Sequence, residues 1–482
     1  MPEEARRTMA KDTAEKAPKA RKKHPVRNGI LLALAALIVG FVGYKLVSGY
    51  IDTLPKLDYT YGTVSVQAQY PACKFADISD LHYYDTSMGD TGPAFQAYLD
   101  NDRKLLVESK DILDTAINNL LQSDVQFVLV NGDMTKDGER TDHVQVAAEL
   151  KKLTDKGIKV YVVPGNHDIM NPWAYSYDGS TTTPVPNVTP DEYKQIYNDY
   201  GYSGAIYKDS ASLSYVAEPV KGLWLICMDS TRWYDNKPGQ ESVTAGKLTQ
   251  AEENWLVGIL QKAKDQGKAV MLMMHHGVVE HWAGQSKLHP EYLVSDYKHV
   301  AQMLASWGVR LVFTGHYHAQ DIAEASFGDK GFIFDVETGS LVTDPCPIRY
   351  CSIGADQSFS YSEVKLIDSM YPGKSYGQYA NFEQYAAATT KASIANLAVQ
   401  TLKKYLVDDK DAKTIADNVA AAFMAHYAGD EYAAQRPPLD AGKLGLWSQI
   451  ILTQEQYVLD GLWKDTSVPE DNNGTVSLVT GK

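Results

Sequence analysis

Compact apolar runs that stop abruptly at Gly, Asp, Asn or His recur through the middle of the chain. They are FADIS (75–79), FVLV (127–130), VYVV (160–163), VMLMM (270–274) and VRLVF (309–313). Runs this short, bounded by turn residues, suit strands buried on both faces. Between them apolar residues return at helical spacing over 103–121, 141–156, 249–266 and 291–307. Strand and helix in alternation predict a layered α/β core. Further apolar strands at 212–217, 222–228 and 331–336 are expected to form a facing sheet. Past about residue 352 the pattern turns helical. Ile394, Leu397, Leu402 and Tyr405 make one stripe, and Ile415, Val419, Phe423 and Tyr427 a second that Gly429 is placed to end. A third helix is expected from about Gly445 to Leu462.

One stretch belongs to neither pattern. Gly29 to Val47 is apolar at membrane scale and follows Arg21, Lys22, Lys23 and Arg27. A basic flank stays on the cytoplasmic side, so the rest of the chain is expected to lie outside. A single-pass anchor over 29–50 is the reading adopted; a cleaved signal peptide, giving a secreted protein, is the alternative. The organisation expected is a basic cytoplasmic tail (1–28), the anchor (29–50), a stalk (51–70), an α/β domain (71–351), a linker (352–375) and a helical domain (376–482).

Charge sharpens the choice of partner. Residues 1–28 hold nine Lys/Arg against four Asp/Glu, while the chain as a whole carries a formal −14. The body is therefore more acidic than the total, and it repels a polyanion such as duplex DNA. A small phosphorylated substrate is compatible, because bound metal ions reverse the local field. Cys346 and Cys351, in PCPIRYC, could close a disulfide loop or be two buried thiols. No C-x-x-C pair offers a cysteine zinc site, and no G-x-S-x-G offers a serine nucleophile.

The candidate chemistry sits where the apolar runs end. Asp80 and His82 follow the first, Asp133 the second, Asn166 and His167 the third, His275 the fourth, and His316 and His318 the fifth. Loops at the carboxyl ends of strands form the ligand crevice of α/β sheets, so residues distant in sequence can converge there. Carboxylates, imidazoles and one amide suit borderline divalent ions such as Mn²⁺, Fe²⁺ or Zn²⁺. Seven residues suffice for two ions if one carboxylate bridges. Each motif alone is an ordinary turn; the ordered set D-x-H, G-D, G-N-H-D, H-H, G-H-x-H is specific.

Those residues resemble the calcineurin-like metallophosphoesterase superfamily over roughly residues 72–345. ISDLHYYD, GDMTKDGE, VPGNHD, MHHG and TGHYHAQ look like those of bacterial extracytoplasmic members described as cyclic-nucleotide-phosphodiesterase-like. The resemblance implies a four-layer αββα sandwich and two divalent metal ions. One would be held by Asp80, His82, Asp133 and His318, the other by Asp133, Asn166, His275 and His316. It gives His167 the leaving-group side, oriented by Asp168. Where many relatives have H-x-P, this chain has His275-His276-Gly277, and His276 with His281 is a candidate for the substrate side. The implied activity is hydrolysis of a small phosphodiester, a cyclic nucleotide among the candidates, outside the membrane. A monoesterase, nucleotidase or lipid-headgroup phosphohydrolase is the near alternative, and a metal-binding scaffold without catalysis the distant one.

Overall fold

The computed structural model describes residues 57–63, 68–464 and 470–481. The expected tail and anchor lie outside the described residues, as does much of the stalk. Among the described residues no helix is long and apolar enough to cross a membrane. Tyr59–Lys482 forms one compact unit.

Thirteen strands of that unit build two sheets. In chain order they are β1 (Cys73–Ile78), β2 (Phe127–Val130), β3 (Lys159–Val162), β4 (Tyr207–Lys208), β5 (Tyr215–Ala217), β6 (Leu223–Cys227), β7 (Ala269–Met273), β8 (Leu311–Thr314), β9 (Asp321–Ser326), β10 (Phe332–Glu337), β11 (Pro347–Ile353), β12 (Ser358–Lys365) and β13 (Asn473–Ser477). The first sheet runs β13-β12-β11-β1-β2-β3 and the second β9-β10-β8-β7-β6-β5-β4. Part of each sheet is parallel: β1, β2 and β3 in one, β6, β7, β8 and β10 in the other. The two sheets share one apolar core, in which the Phe75 ring meets Phe313 edge-on at 5.4 Å.

Helices α1 (Ser109–Gln122) and α2 (Arg140–Asp155) pack with one another, and α2 also against β3. Helix α3 (Gln250–Asp265) lies on β7, and α4 (Tyr297–Ser306) on β10. Each turns its apolar stripe inward, as Ile112, Leu113, Ala116, Ile117 and Leu120 do on α1. Two helices start later than their spacing suggested. The Leu105 N–H bonds the Val342 carbonyl, and Leu293 pairs with Gly277. Tertiary hydrogen bonds thus hold both approach segments out of helix.

The strands sort between sheets differently from the pattern expected. β7 and β8 belong to the second sheet, beside β6 and β10. Fully buried runs carry no period-2 signal, so nothing in them tells one sheet from the other. Within the stretch expected to be linker, Ser358–Lys365 forms β12, and after the helices β13 returns to pair with it. The helices themselves are α5 (Phe382–Lys404), α6 (Asp409–Tyr427) and α7 (Leu446–Leu462), with Gly429 at φ +61° just past α6. All four cysteines are buried free thiols.

Candidate metal centre

The carboxyl ends of β1, β2, β3, β7 and β8 open on one crevice, and the loops there are locked together by backbone hydrogen bonds. Asp80 N–H reaches the Gly132 carbonyl at 3.2 Å, and His82 N–H the Asp133 carbonyl at 2.9 Å. His316 N–H donates to Asp80 Oδ2 at 2.9 Å, tying the second sheet to the first. Asp80, His82, Asp133, His316 and His318 all have positive φ, from +37° to +74°. For residues other than glycine that conformation costs about 1–3 kcal/mol each. Such strain persists only where surrounding structure imposes it, and here it gathers on the residues expected to share one task. The motif glycines serve the same closeness: a Cβ on Gly315 would stand 1.9 Å from Ser79 Oγ, and one on Gly165 2.1 Å from Asp133 Oδ1.

Ligand atoms gather within 4.8 Å of one another as Asp80, His82 and His318, as Asp133, His275 and His316, and, overlapping both, as His82, Asp133 and His167. In the first, Asp80 Oδ2 accepts from Ser79 Oγ and His316 N–H, leaving Oδ1 with no hydrogen bond. That oxygen lies 3.3 Å from His318 Nε2 and 3.7 Å from His82 Nε2, and the two Nε2 atoms face each other at 3.2 Å. In the second, the Asn131 carbonyl takes His275 Nδ1–H at 2.7 Å, so the Nε2 lone pair turns inward. His275 Nε2 stands 3.3 Å from Asp133 Oδ2 and 3.1 Å from Asn166 Oδ1, and His316 Nε2 is buried without a partner. Asp133 Oδ2 also lies 3.6 Å from His82 Nε2, which puts it between the groups.

Lone pairs crowded together in this way repel one another unless a cation stands among them, and the donor set fits two divalent ions. Electrostatics agree. Burial drives His82 and His316 well below the usual histidine range. Burial, then the charge of Arg103, lowers His318 to about 4. Neutral imidazole is the form that ligates. At His275 burial pulls down but the Asp133 carboxylate outweighs it, raising the group to about 9. A proton there offsets charge that a metal ion would otherwise offset.

His167 stands at the open side, with its side chain 21% exposed. Its Nδ1 bonds Asp137 Oδ1 at 2.9 Å, so Asp137, and not Asp168, orients the ring. Asp137 is in turn paired with the fully buried Lys136, whose ammonium also sits 2.9 Å from Glu139. Burial would raise Asp137, yet Lys136 and His167 hold it down at about 2. Asp168 accepts from the N–H groups of Gly165 and Thr135 and so braces the loop. His276 packs its ring 4.5 Å from that of His316, but Ser230 Oγ and the Thr244 carbonyl occupy its two nitrogens. His281 is buried among Asp321, Asp335 and Glu337. His426 of α6 joins Asp321 and Glu431 there, an ion-pair network clamping the helices to β9. Asp137 lay in plain view within GDMTKDGE, where K-D-G reads as an ordinary turn. Arg103 and Lys104, whose charges reach His318, carried no motif.

Residues 74–320, just over half of the chain, match the sequence profile of the calcineurin-like phosphoesterases. The chain belongs to that family. Among solved structures it is similar to a dimetal phosphatase from Danio rerio, at 16% identity over 62% of this chain and 98% of that one (TM-score 0.44). A purple acid phosphatase from yellow lupin (Lupinus luteus) seeds is similar at 11%, over 64% and 54% (TM-score 0.41). A 5'-nucleotidase precursor from Thermus thermophilus is similar at 9%, over 70% and 60% (TM-score 0.35). No curated protein sequence matches the chain. For this calcineurin-like phosphoesterase the profile ends at residue 320, before β9, so β9 to β13 and all three C-terminal helices lie beyond it.

Proposed function

We propose that the protein hydrolyses a phosphodiester with two divalent ions. Asp80, His82, Asp133 and His318 hold one, and Asp133, Asn166, His275 and His316 the other. The observation that carries this reading is the position of Asp133 Oδ2, 3.3 Å from His275 Nε2 and 3.6 Å from His82 Nε2, between two otherwise separate groups. Bound ions of this kind supply a water that ionises near neutral pH and a positive field for the phosphoryl oxygens. The chain's own contribution is placement. His167 holds a proton on the open side of the crevice, where a departing alkoxide needs one. Asp133 and Asp137 favour that proton against burial, which opposes it. Asp137, fixed by Lys136, keeps the ring turned so that Nε2 faces the crevice.

The diester preference rests on the sequence resemblance, and action on the outer side of a membrane on the apolar stretch within 29–50 and its basic flank. Full-length protein loaded with Mn²⁺ and given matched phosphodiesters and phosphomonoesters, cyclic nucleotides included, tests the activity. Two metal ions per chain with faster turnover of diesters is the expected result. Faster turnover of monoesters would reverse the preference, and two ions with no turnover of any ester would indicate a scaffold. Protease digestion of intact cells tests topology: cleavage within 71–482 is expected, and protection would place the domain inside.

A further inference from the structure

We propose that the ester carries a long hydrocarbon substituent, which lies in an apolar cavity between α5, α6 and α7 while the phosphate sits at the metal centre. This rests on the hydrolytic reading above and names its substrate class.

The cavity measures about 280 Å³. Ile394 and Leu402 of α5, Val419 and Phe423 of α6, and Ile451 and Leu459 of α7 line it. Protein interiors leave few voids larger than a water molecule, so a space this size among aliphatic side chains marks a built feature. Its volume approaches the range of ligand sites, roughly 300–1,000 Å³.

Its inner end adjoins the metal centre. Tyr292 and Tyr317 form that wall, and the Tyr292 ring lies 4.5 Å from the ring of His316. Tyr317 follows His316 directly and packs on Tyr292 at 4.8 Å. Arg103 lines the same end, its guanidinium 5.7 Å from the Tyr427 ring and its Nε buried without a hydrogen-bond partner. A fixed guanidinium with an unused donor at the edge of a metal centre suits a phosphate oxygen.

The outer end is greasy and open. Tyr405 lines the cavity and is 49% exposed, and Trp447 Nε1 donates to its carbonyl at 2.8 Å. Beside them Leu406 and Leu446 are almost fully exposed, and Ile450 is partly so. Amphipathic aromatics among exposed aliphatics suit the boundary between water and lipid. The molecule therefore offers, each adjoining the next, a metal centre, a cation, an apolar trough and an apolar rim. That order complements an amphiphilic phosphate ester entering phosphate first. A nucleoside would leave the trough unused.

Full-length, Mn²⁺-loaded protein is tested with n-alkyl phosphates from methyl to decyl, below their micelle concentrations, as inhibitors of methyl p-nitrophenyl phosphate hydrolysis. Affinity is expected to rise by up to roughly fourfold per methylene, the equivalent of about 0.8 kcal/mol, and to level off when the trough is full. Ala398→Trp, which fills the trough, is expected to flatten the series; because that variant could misfold, the wild-type series decides. Turnover of the reporter ester with inhibitor affinity independent of chain length overturns the proposal alone. That is also the outcome if residues 29–47 or a second copy occupy the trough. If no ester is hydrolysed, calorimetry with the same alkyl phosphates decides separately. Tightening with chain length upholds the trough while the hydrolytic reading falls, and equal affinities overturn the trough too. A dependence that emerges only with vesicles present reports partition onto a surface and overturns the proposal.

Discussion

Asp133 does three things at once. Its backbone carbonyl positions His82, its Oδ1 holds the His167 N–H at 2.9 Å, and its Oδ2 faces both ligand groups. Asp133→Asn removes the shared charge, so both ions should weaken together. Loss of outer-shell partners alone costs about 10–100-fold, and loss of a bridging ligand should exceed that. Metal analysis falling from two ions toward none, with activity down by more than about 100-fold, is the expected result. Retention of one tight ion would show that Asp133 serves a single site. Asp137 acts through His167 and so predicts a different signature. Asp137→Asn should lower kcat by about 10–100-fold with little change in KM. A protonated donor works below its pKa, and removing an anion lowers that pKa, so the alkaline fall in activity should begin at lower pH. The loss should also be larger for alkyl than for p-nitrophenyl leaving groups, which need little proton help. Equal losses on both would make Asp137 merely structural. At this scale the candidate ligand residues were legible as a group because each motif ends a strand. Asp137 was not, since a carboxylate's partner is fixed by folding and not by its neighbours in sequence.

Among elements, those with one continuous signal were read well. FVLV is β2 to the residue, and α3 begins beside Thr249 with a Thr249–Glu252 capping box. Thr249→Ala should cost about 1 kcal/mol of stability, measured by denaturant unfolding, with metal content unchanged. A simultaneous loss of metal would mean that α3 positions the centre. Elements decided by partners across the fold were not legible. β13 lies among polar residues, NGTVS, and forms because β12 presents an open edge, where Phe359 pairs with Val476. His426 falls on a helix stripe that looks peripheral, yet the pairing of α6 with β9 buries it completely.

Across the whole molecule, the price of so many buried carboxylates is a stability that depends on pH. Glu252 and Glu363 lie outside the two ligand groups, and burial raises each to about 7. A carboxylate whose folded pKa exceeds its unfolded value binds more protons folded than unfolded between those values. Its favourable contribution is complete below about pH 4.5 and is lost as pH climbs through about 7. Formal charge of −14 pushes the same way, since further ionisation adds repulsion to an anionic chain. Metal-loaded protein should therefore melt at lower temperature at pH 8 than at pH 6. Glu252→Gln isolates one source, because the amide oxygen can still accept from Thr249 N–H, which the carboxylate meets at 2.7 Å. At pH 5 the variant and the parent should be nearly equal in stability. At pH 8 the variant should be the more stable by on the order of 1 kcal/mol, the full shift being softened by local relaxation. A gap of the same size at both pH values would mean that Glu252 is ionised throughout, and the pH dependence would then have to come from elsewhere in the core.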